Sequence, residues 1–228
     1  MDSFLSFFRA LDWSVPLQLV LNVIPALLCI TLHELCHGLA ALALGDTTAR
    51  DAGRLSLNPL RHVDVMGLIM MVAFKFGWAK PVPVNMYRFR HPKRGMAITA
   101  LAGPVSNVLL CVLVLFLYGL LAPVFLRWGT AGERLMELFV TTAYLSLSLA
   151  VFNVLPVPPL DGSKVLYALL PERAYFQLMR YEKYGMLLLL VLVWSGILGT
   201  PLSNITQDLF ARLTAAADWG FSISRGLL

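Results

Sequence analysis

One short motif constrains this chain more than any other feature. A His-Glu-x-x-His pattern begins at His33 and ends at His37, inside an apolar stretch that runs from Val15 to about Leu44. On a helix, histidines four residues apart share one face, so both can bind one metal ion. Glu34 can then lie beside a metal-bound water and take its proton. Two imidazoles and a carboxylate are costly in hydrocarbon, and a catalytic zinc site explains their presence.

The motif has other interpretations. A buried histidine pair can be satisfied by backbone groups or by Glu34 without any metal. Cys36 lies one turn from His33 and is a rival ligand, although a small apolar side chain is its more common role. Zinc is inferred from the ligand types, and iron, cobalt or manganese can occupy a similar site.

The composition indicates a membrane protein. The chain is 58% hydrophobic and 14% charged, which is unusual for a soluble domain. Its length predicts a single integral-membrane domain over residues 1–228. Asp2 and Asp12 precede the first apolar run, which itself contains the metal motif, so we expect no cleavable signal peptide. Cys29, Cys36 and Cys111 all lie in apolar segments, which predicts free buried thiols rather than disulfides. The net charge of +5 comes from basic residues in loops, so we expect cytoplasmic loops and no nucleic-acid partner.

We predict an all-α polytopic membrane protein. Four segments are long or apolar enough to span a bilayer: residues 15–44, 96–125, 138–155 and 185–198. The first three form the core that carries the metal site, and the last is one further, short span. Residues 202–213 have helical amphipathic spacing, which predicts a C-terminal helix lying at the membrane interface.

An insertion over about residues 46–94 interrupts this pattern. Residues 65–78 are apolar but short for a crossing, and basic residues flank them on both sides. A true crossing would place one basic cluster on the wrong side of the membrane. We therefore predict a re-entrant and β-strand insertion that enters from the cytoplasmic face.

The third metal ligand is predicted to be Asp161. A catalytic zinc usually has three protein ligands and one open position. Asp161 follows a proline-rich run at the end of the third span, on the same side of the membrane as the two histidines. Irregular backbone at membrane depth is tolerated where it lines a cavity, although a simple Asp-Gly turn is the other interpretation.

Together these motifs resemble the site-2 protease family of intramembrane zinc metalloproteases. The matching segments include Leu57-Asn58-Pro59, residues 77–85, residues 102–107, Asn153-x-x-Pro156 and Leu160-Asp161-Gly162. The resemblance implies that His33, His37 and Asp161 bind one zinc per chain, that Glu34 is the base and that Asn153 contacts the substrate. No PDZ or CBS domain is recognisable, so the chain resembles the small, minimal members.

The resemblance implies hydrolysis of peptide bonds within or near transmembrane segments, with a zinc-bound water activated by Glu34 as the nucleophile. Asn107 and Asn153 are candidate oxyanion donors, although Asn107 can equally bond neighbouring helices. In the Pro-Val-Pro-Val run, Val82 and Val84 keep backbone donors on one edge, which can pair with an unwound substrate; a proline-stiffened loop is the alternative.

The expected partners are transmembrane protein substrates, the lipid bilayer and a possible regulatory membrane protein. We expect a multi-pass protein of a prokaryotic cell membrane, with its active site toward the cytoplasmic face. A membrane metal transporter or sensor using the same ligands is the main alternative function, and it has no need of Glu34 as a base. A prenyl-protein endopeptidase is disfavoured because its Glu-Glu-x-x-x-Arg element is absent.

Overall fold

The structure is a computed structural model that describes residues 14–64, 66–67 and 80–227. Within those ranges the regular structure is helical and no β-strand is present. The α-helices are α1 (Ser14–Ala43), α2 (Thr48–Asp51), α3 (Pro92–Phe125), α4 (Thr130–Asn153), α5 (Asp161–Ala168), α6 (Glu172–Tyr181), α7 (Gly185–Trp194), α8 (Gly199–Leu213) and α9 (Ala215–Leu227). Short 3-10 turns lie at Pro59–Arg61, Met86–Arg88, Leu126–Trp128 and Glu182–Tyr184.

The described helices include three that are long and apolar enough to cross a membrane. These candidate spans are Val23–Ala43, Pro92–Trp128 and Thr130–Asn153. A fourth is formed if Glu172–Trp194 and Gly199–Gly226, which meet at 85°, count as one broken span. The prediction of a helical, multi-pass integral membrane protein is thereby confirmed.

Helix α3 is the centre of the bundle, with α1, α4 and α9 packed around it. Its apolar core includes buried side chains from α1, α3 and α4, among them Cys29, Cys111 and Leu147. All three cysteines are free thiols, as predicted, but only Cys29 and Cys111 are buried and Cys36 is partly exposed. Helix α9 lies so close to α3 that a Cβ atom on Gly119 would overlap the carbonyl of Ala217. Small residues permit this kind of close helix contact.

The helix ends differ from the predicted spans in ways that local chemistry explains. Helix α3 begins at Pro92, four residues early, because proline suits the first turn of a helix. Helix α4 begins at Thr130 and includes an exposed Arg134–Glu137 ion pair, which an apolar pattern does not detect. The last predicted span is shorter than expected: α7 ends at Trp194, shortly before Gly196 with its positive φ of 72°.

The insertion contains no β-strand in its described part, so that portion of the fold prediction is not supported. Residues 80–85 have no regular secondary structure and lead into the 3-10 turn that begins at Met86. Pro81 and Pro83 explain why no regular ladder forms here, because proline removes backbone donors. The predicted re-entrant segment lies almost wholly outside the described residues.

Candidate metal centre and active site

The structure brings together the three residues predicted as metal ligands. His33 and His37 lie on α1, and Asp161 is the first residue of α5. Asp161 Oδ2 is 3.1 Å from Nε2 of each histidine, and one donor atom from each residue lies within 4.8 Å of the others. All three side chains are buried, with at most 9% of any residue exposed.

Asp161 reaches α1 because the chain turns sharply after α4. Helix α4 ends at Asn153, and the proline-rich run brings the start of α5 back against it. The approach is so close that a Cβ atom on Gly162 would lie 2.0 Å from the carbonyl oxygen of Val154. Glycine at this position therefore allows the neighbouring carboxylate to face the histidines.

Helix α3 supports the two histidines from behind, through Thr99, Gly103 and Asn107, which we call the rear wall. His37 Nδ1 lies 2.7 Å from the backbone oxygen of Thr99. His33 Nδ1 lies 3.2 Å from the side-chain amide of Asn107, which is fully buried. There is no room for a side chain at Gly103, because a Cβ atom there would lie 2.4 Å from His37 Nε2. The rear wall fixes both imidazole rings.

The hydrogen bonds of the rear wall fit a bound metal. A carbonyl oxygen only accepts, so His37 Nδ1 carries the proton and its Nε2 presents a lone pair to the cluster. Asn107 Oδ1 is buried and has no partner among the described residues. Turning that amide over places Oδ1 opposite His33 Nδ1–H and gives His33 the same tautomer. Three acceptor atoms then converge, an arrangement that a cation stabilises.

The separations and donor types fit zinc. Ligands about 2.0–2.1 Å from a tetrahedral zinc lie about 3.3 Å from each other, close to the 3.1 Å between Asp161 Oδ2 and each histidine nitrogen. Lys164 Nζ lies 3.8 Å from Asp161 Oδ1, and this positive charge favours the ionised form of the carboxyl group. Asp161 therefore offers a carboxylate oxygen to the cluster. Cys36 is not a member of the converging cluster.

A cleft of about 550 Å³ opens in front of the three ligands. Glu34 lines it, as do three residues predicted to contact the substrate: Val82, Val84 and Asn153. Asn107, the other candidate oxyanion donor, lies behind His33 instead, where Ser146 Oγ also donates to its backbone oxygen at 2.8 Å.

The amide of Val82 already has a partner in this structure. Its N–H donates to Glu34 Oε2 at 2.8 Å, and its side chain is buried. We predicted this donor to face a substrate strand; here it faces the predicted base. The Asn153 side chain donates to the Leu149 carbonyl one turn earlier, at 2.9 Å.

Several residues near the site have no prediction from the sequence. The Thr99 carbonyl is a backbone group, so no side chain marks it. Gly103 lies within residues 102–107, which match the family, and Lys164 follows shortly after the matching Leu160-Asp161-Gly162. Nothing in the spacing of either residue indicates contact with the ligands. From the sequence alone, Asp46 is interpreted as an acidic residue in a loop. In the structure it is fully buried and accepts a hydrogen bond from the N–H of Asn85 at 2.6 Å. The sequence signal for a buried Asp46 is its position as a lone acidic residue directly after a glycine, at the end of an apolar helix.

Known proteins agree with this site. The sequence profile of Peptidase family M50 matches residues 128–196, which include Asp161. The chain is 36% identical over 199 residues to YwhC of Bacillus subtilis (strain 168), covering 85% of this chain and 90% of YwhC. It is 29% identical to Rip2 of Mycolicibacterium smegmatis, covering 73% of this chain and 64% of Rip2. Each of the two carries the name "Putative zinc metalloprotease".

A shorter match involves a third protein. The Regulator of sigma-W protease RasP of Bacillus subtilis is 32% identical over 76 residues, which is 29% of this chain and 18% of RasP. No solved structure matches the chain. The extent of the YwhC match, together with the buried His-His-Asp cluster, is decisive: the chain belongs to peptidase family M50, the site-2 protease family of zinc metalloproteases.

Proposed function

We propose that this protein is an intramembrane metalloprotease that hydrolyses peptide bonds within or near transmembrane segments of membrane proteins. One observation carries the proposal: the buried cluster of His33, His37 and Asp161 faces a cleft that also contains Glu34. The two histidines and Glu34 belong to a helix long and apolar enough to cross a membrane. The whole chain is one catalytic domain that holds one zinc.

The reaction assigns a task to each residue. His33, His37 and Asp161 would hold the zinc, which would supply Lewis acidity to a water molecule and to a peptide carbonyl. Glu34 accepts a proton from the attacking water and passes it to the leaving amine. Thr99 and Asn107 hold the imidazole rings in the tautomer that leaves each Nε2 free for the metal.

The cleft accepts an unwound segment of a transmembrane substrate. Val84 and Asn153 line the cleft beside Glu34, and the Val84 N–H has no hydrogen-bond partner among the described residues. That N–H can donate to an extended substrate backbone, and Asn153 can donate to its carbonyl after leaving Leu149. The Val82 N–H acts on the same edge of the cleft only indirectly, because it donates to Glu34.

The site works from the cytoplasmic face of a prokaryotic cell membrane. Basic residues concentrate in the connection between α1 and α3 and in the first turn of α3, including Arg50, Arg54, Arg88 and Arg94, and basic connections of this kind remain in the cytoplasm. Water then reaches the cleft from that side. The proposal includes a regulatory membrane partner that controls access of substrates to the cleft.

The test compares the wild type with Glu34→Gln in detergent, using a panel of transmembrane peptides as substrates. Removing the base while keeping the metal ligands is expected to abolish cleavage and leave about one zinc per chain. Mass spectrometry of the products and metal analysis of the same samples give the two readouts. Glu172→Gln, on an exposed helix start, is the matched control and should cleave normally.

Two results would contradict the proposal. Undiminished cleavage by Glu34→Gln would remove Glu34 from the reaction. Zinc binding without cleavage of any peptide, combined with zinc flux in vesicles that Glu34→Gln preserves, would instead establish a metal transporter.

A further inference from the structure

Residues 82–85, which we call the cleft segment, are bonded to α1 and its following turn at both ends. At one end the Val82 N–H donates to Glu34 Oε2 at 2.8 Å. At the other end the Asn85 N–H donates to Asp46 Oδ2 at 2.6 Å. The carboxylate proposed as the base and a second, buried carboxylate therefore hold the same short stretch of backbone.

Asp46 is fully buried, and each of its oxygens accepts hydrogen bonds. Oδ2 accepts from Asn85, while Oδ1 accepts from the backbone N–H of Thr48 at 3.0 Å and from the Thr48 hydroxyl. Burial raises the pKa of Asp46, but these bonds and the charge of Arg88 outweigh burial and lower it. Hydrogen bonds to an ionised carboxylate are stronger than those between neutral groups, so Asp46 is a firm anchor for Asn85.

The Val82 end of the cleft segment is also held closely against α1 by its side chain. Gly38 lies one turn after Glu34, and a Cβ atom there would be 3.3 Å from Val82 Cγ1. A larger residue at this position would press Val82 away from the helix. Pro81 and Pro83 flank Val82 and restrict the backbone on both sides, so the position of the Val82 N–H depends on where the segment is anchored.

From this geometry we propose that Asp46 is a positioning residue for Glu34, acting through the cleft segment. The inference rests on the proposed role of Glu34 as the base. Asp46 fixes Asn85, the proline-restricted backbone transmits that position to Val82, and the Val82 N–H orients the Glu34 carboxylate. Without the anchor the carboxylate loses its orientation, although zinc binding by His33, His37 and Asp161 is unaffected.

The first test is Asp46→Asn, which replaces one acceptor oxygen with an NH2 group facing existing donors. We expect kcat to fall by about 10- to 100-fold, since a displacement of about 1 Å can cost about 10²-fold. Zinc per chain should stay near its wild-type value. Asp51→Asn is the matched control: Asp51 lies in the same loop region and bonds Thr47, but it is exposed and should keep the wild-type kcat. A merely structural role for Asp46 would lower zinc content instead.

The second test is a double-mutant cycle with Val82→Pro, which removes the N–H that contacts Glu34. If Asp46 acts through that bond, Asp46→Asn will lower kcat much less in the Val82→Pro background than in the wild type. Fully additive effects would overturn the inference. If Val82→Pro does not fold, the kcat of Asp46→Asn with zinc retained decides alone.

The two proposals can fail separately. Cleavage by Glu34→Gln at the wild-type rate would contradict the proposed function. An inactive Glu34→Gln together with a wild-type kcat for Asp46→Asn would overturn the role of Asp46 and leave the proposed function standing.

Discussion

The two sides of the metal cluster differ in how they are built. Behind the ligands, the rear wall of Thr99, Gly103 and Asn107 is buried to the point that no added atom fits at Gly103. In front, the cleft of about 550 Å³ is open and is lined by long, mobile side-chain types such as Lys164 and Met186. One side is closely packed around the imidazoles, and the other has room for a peptide.

This difference separates metal binding from the reaction. Groups behind the histidines set ring orientation and tautomer, which determine metal affinity. Groups in front, such as Glu34, line the cleft; under the proposed mechanism they contact the water and the substrate without holding the metal. Substitutions in the rear wall should therefore change zinc affinity, whereas those in the cleft should change turnover with zinc retained.

The largest rear-wall effect is expected from Gly103→Ala. The new Cβ would lie 2.4 Å from His37 Nε2 and 2.6 Å from His33 Cε1, so the rings have to leave their positions. We expect zinc affinity, measured by competition with a chelator, to fall beyond the roughly 10–100-fold typical of losing a supporting partner. Gly199→Ala is the matched control, because nothing lies within 4 Å of a Cβ built there. Wild-type zinc affinity in Gly103→Ala would show that the rear wall is not closely packed.

A smaller effect is expected from Asn107→Leu, which keeps a similar volume but removes the polar partner of His33 Nδ1. We expect zinc affinity to fall by about 10- to 100-fold. Asn107→Asp keeps an acceptor oxygen and should bind zinc more tightly than the leucine variant. If leucine and aspartate variants bind zinc equally well, Asn107 does not support His33, and its role as an oxyanion donor regains weight.

The sequence predicts the metal ligands better than their surroundings. Histidines four residues apart on an apolar helix have nearly fixed geometry, and a carboxylate after a proline-rich break has few other reasons to be there. The structure brings these residues together as expected. The first three predicted spans also overlap the helices that are long enough to cross a membrane, because apolar length is a strong signal.

The rest depends on contacts between distant residues, which no local pattern encodes. Asn107 is 74 residues from His33, and Asn85 is 39 residues from Asp46. Asn107 has a plausible role on either side of the histidine, and only packing places it behind the ring. The strand predicted in the insertion is absent from residues 80–85 because alternation of apolar residues does not supply a pairing partner.

The most direct test of the central claim is X-ray absorption at the zinc edge of the purified wild type. We predict a first shell of nitrogen and oxygen atoms at about 2.0–2.2 Å, with scattering typical of two imidazoles. That result would agree with His33, His37 and Asp161 as the ligands. A sulfur atom at about 2.3 Å would make Cys36 a ligand and contradict the account, as would a folded protein that binds no zinc.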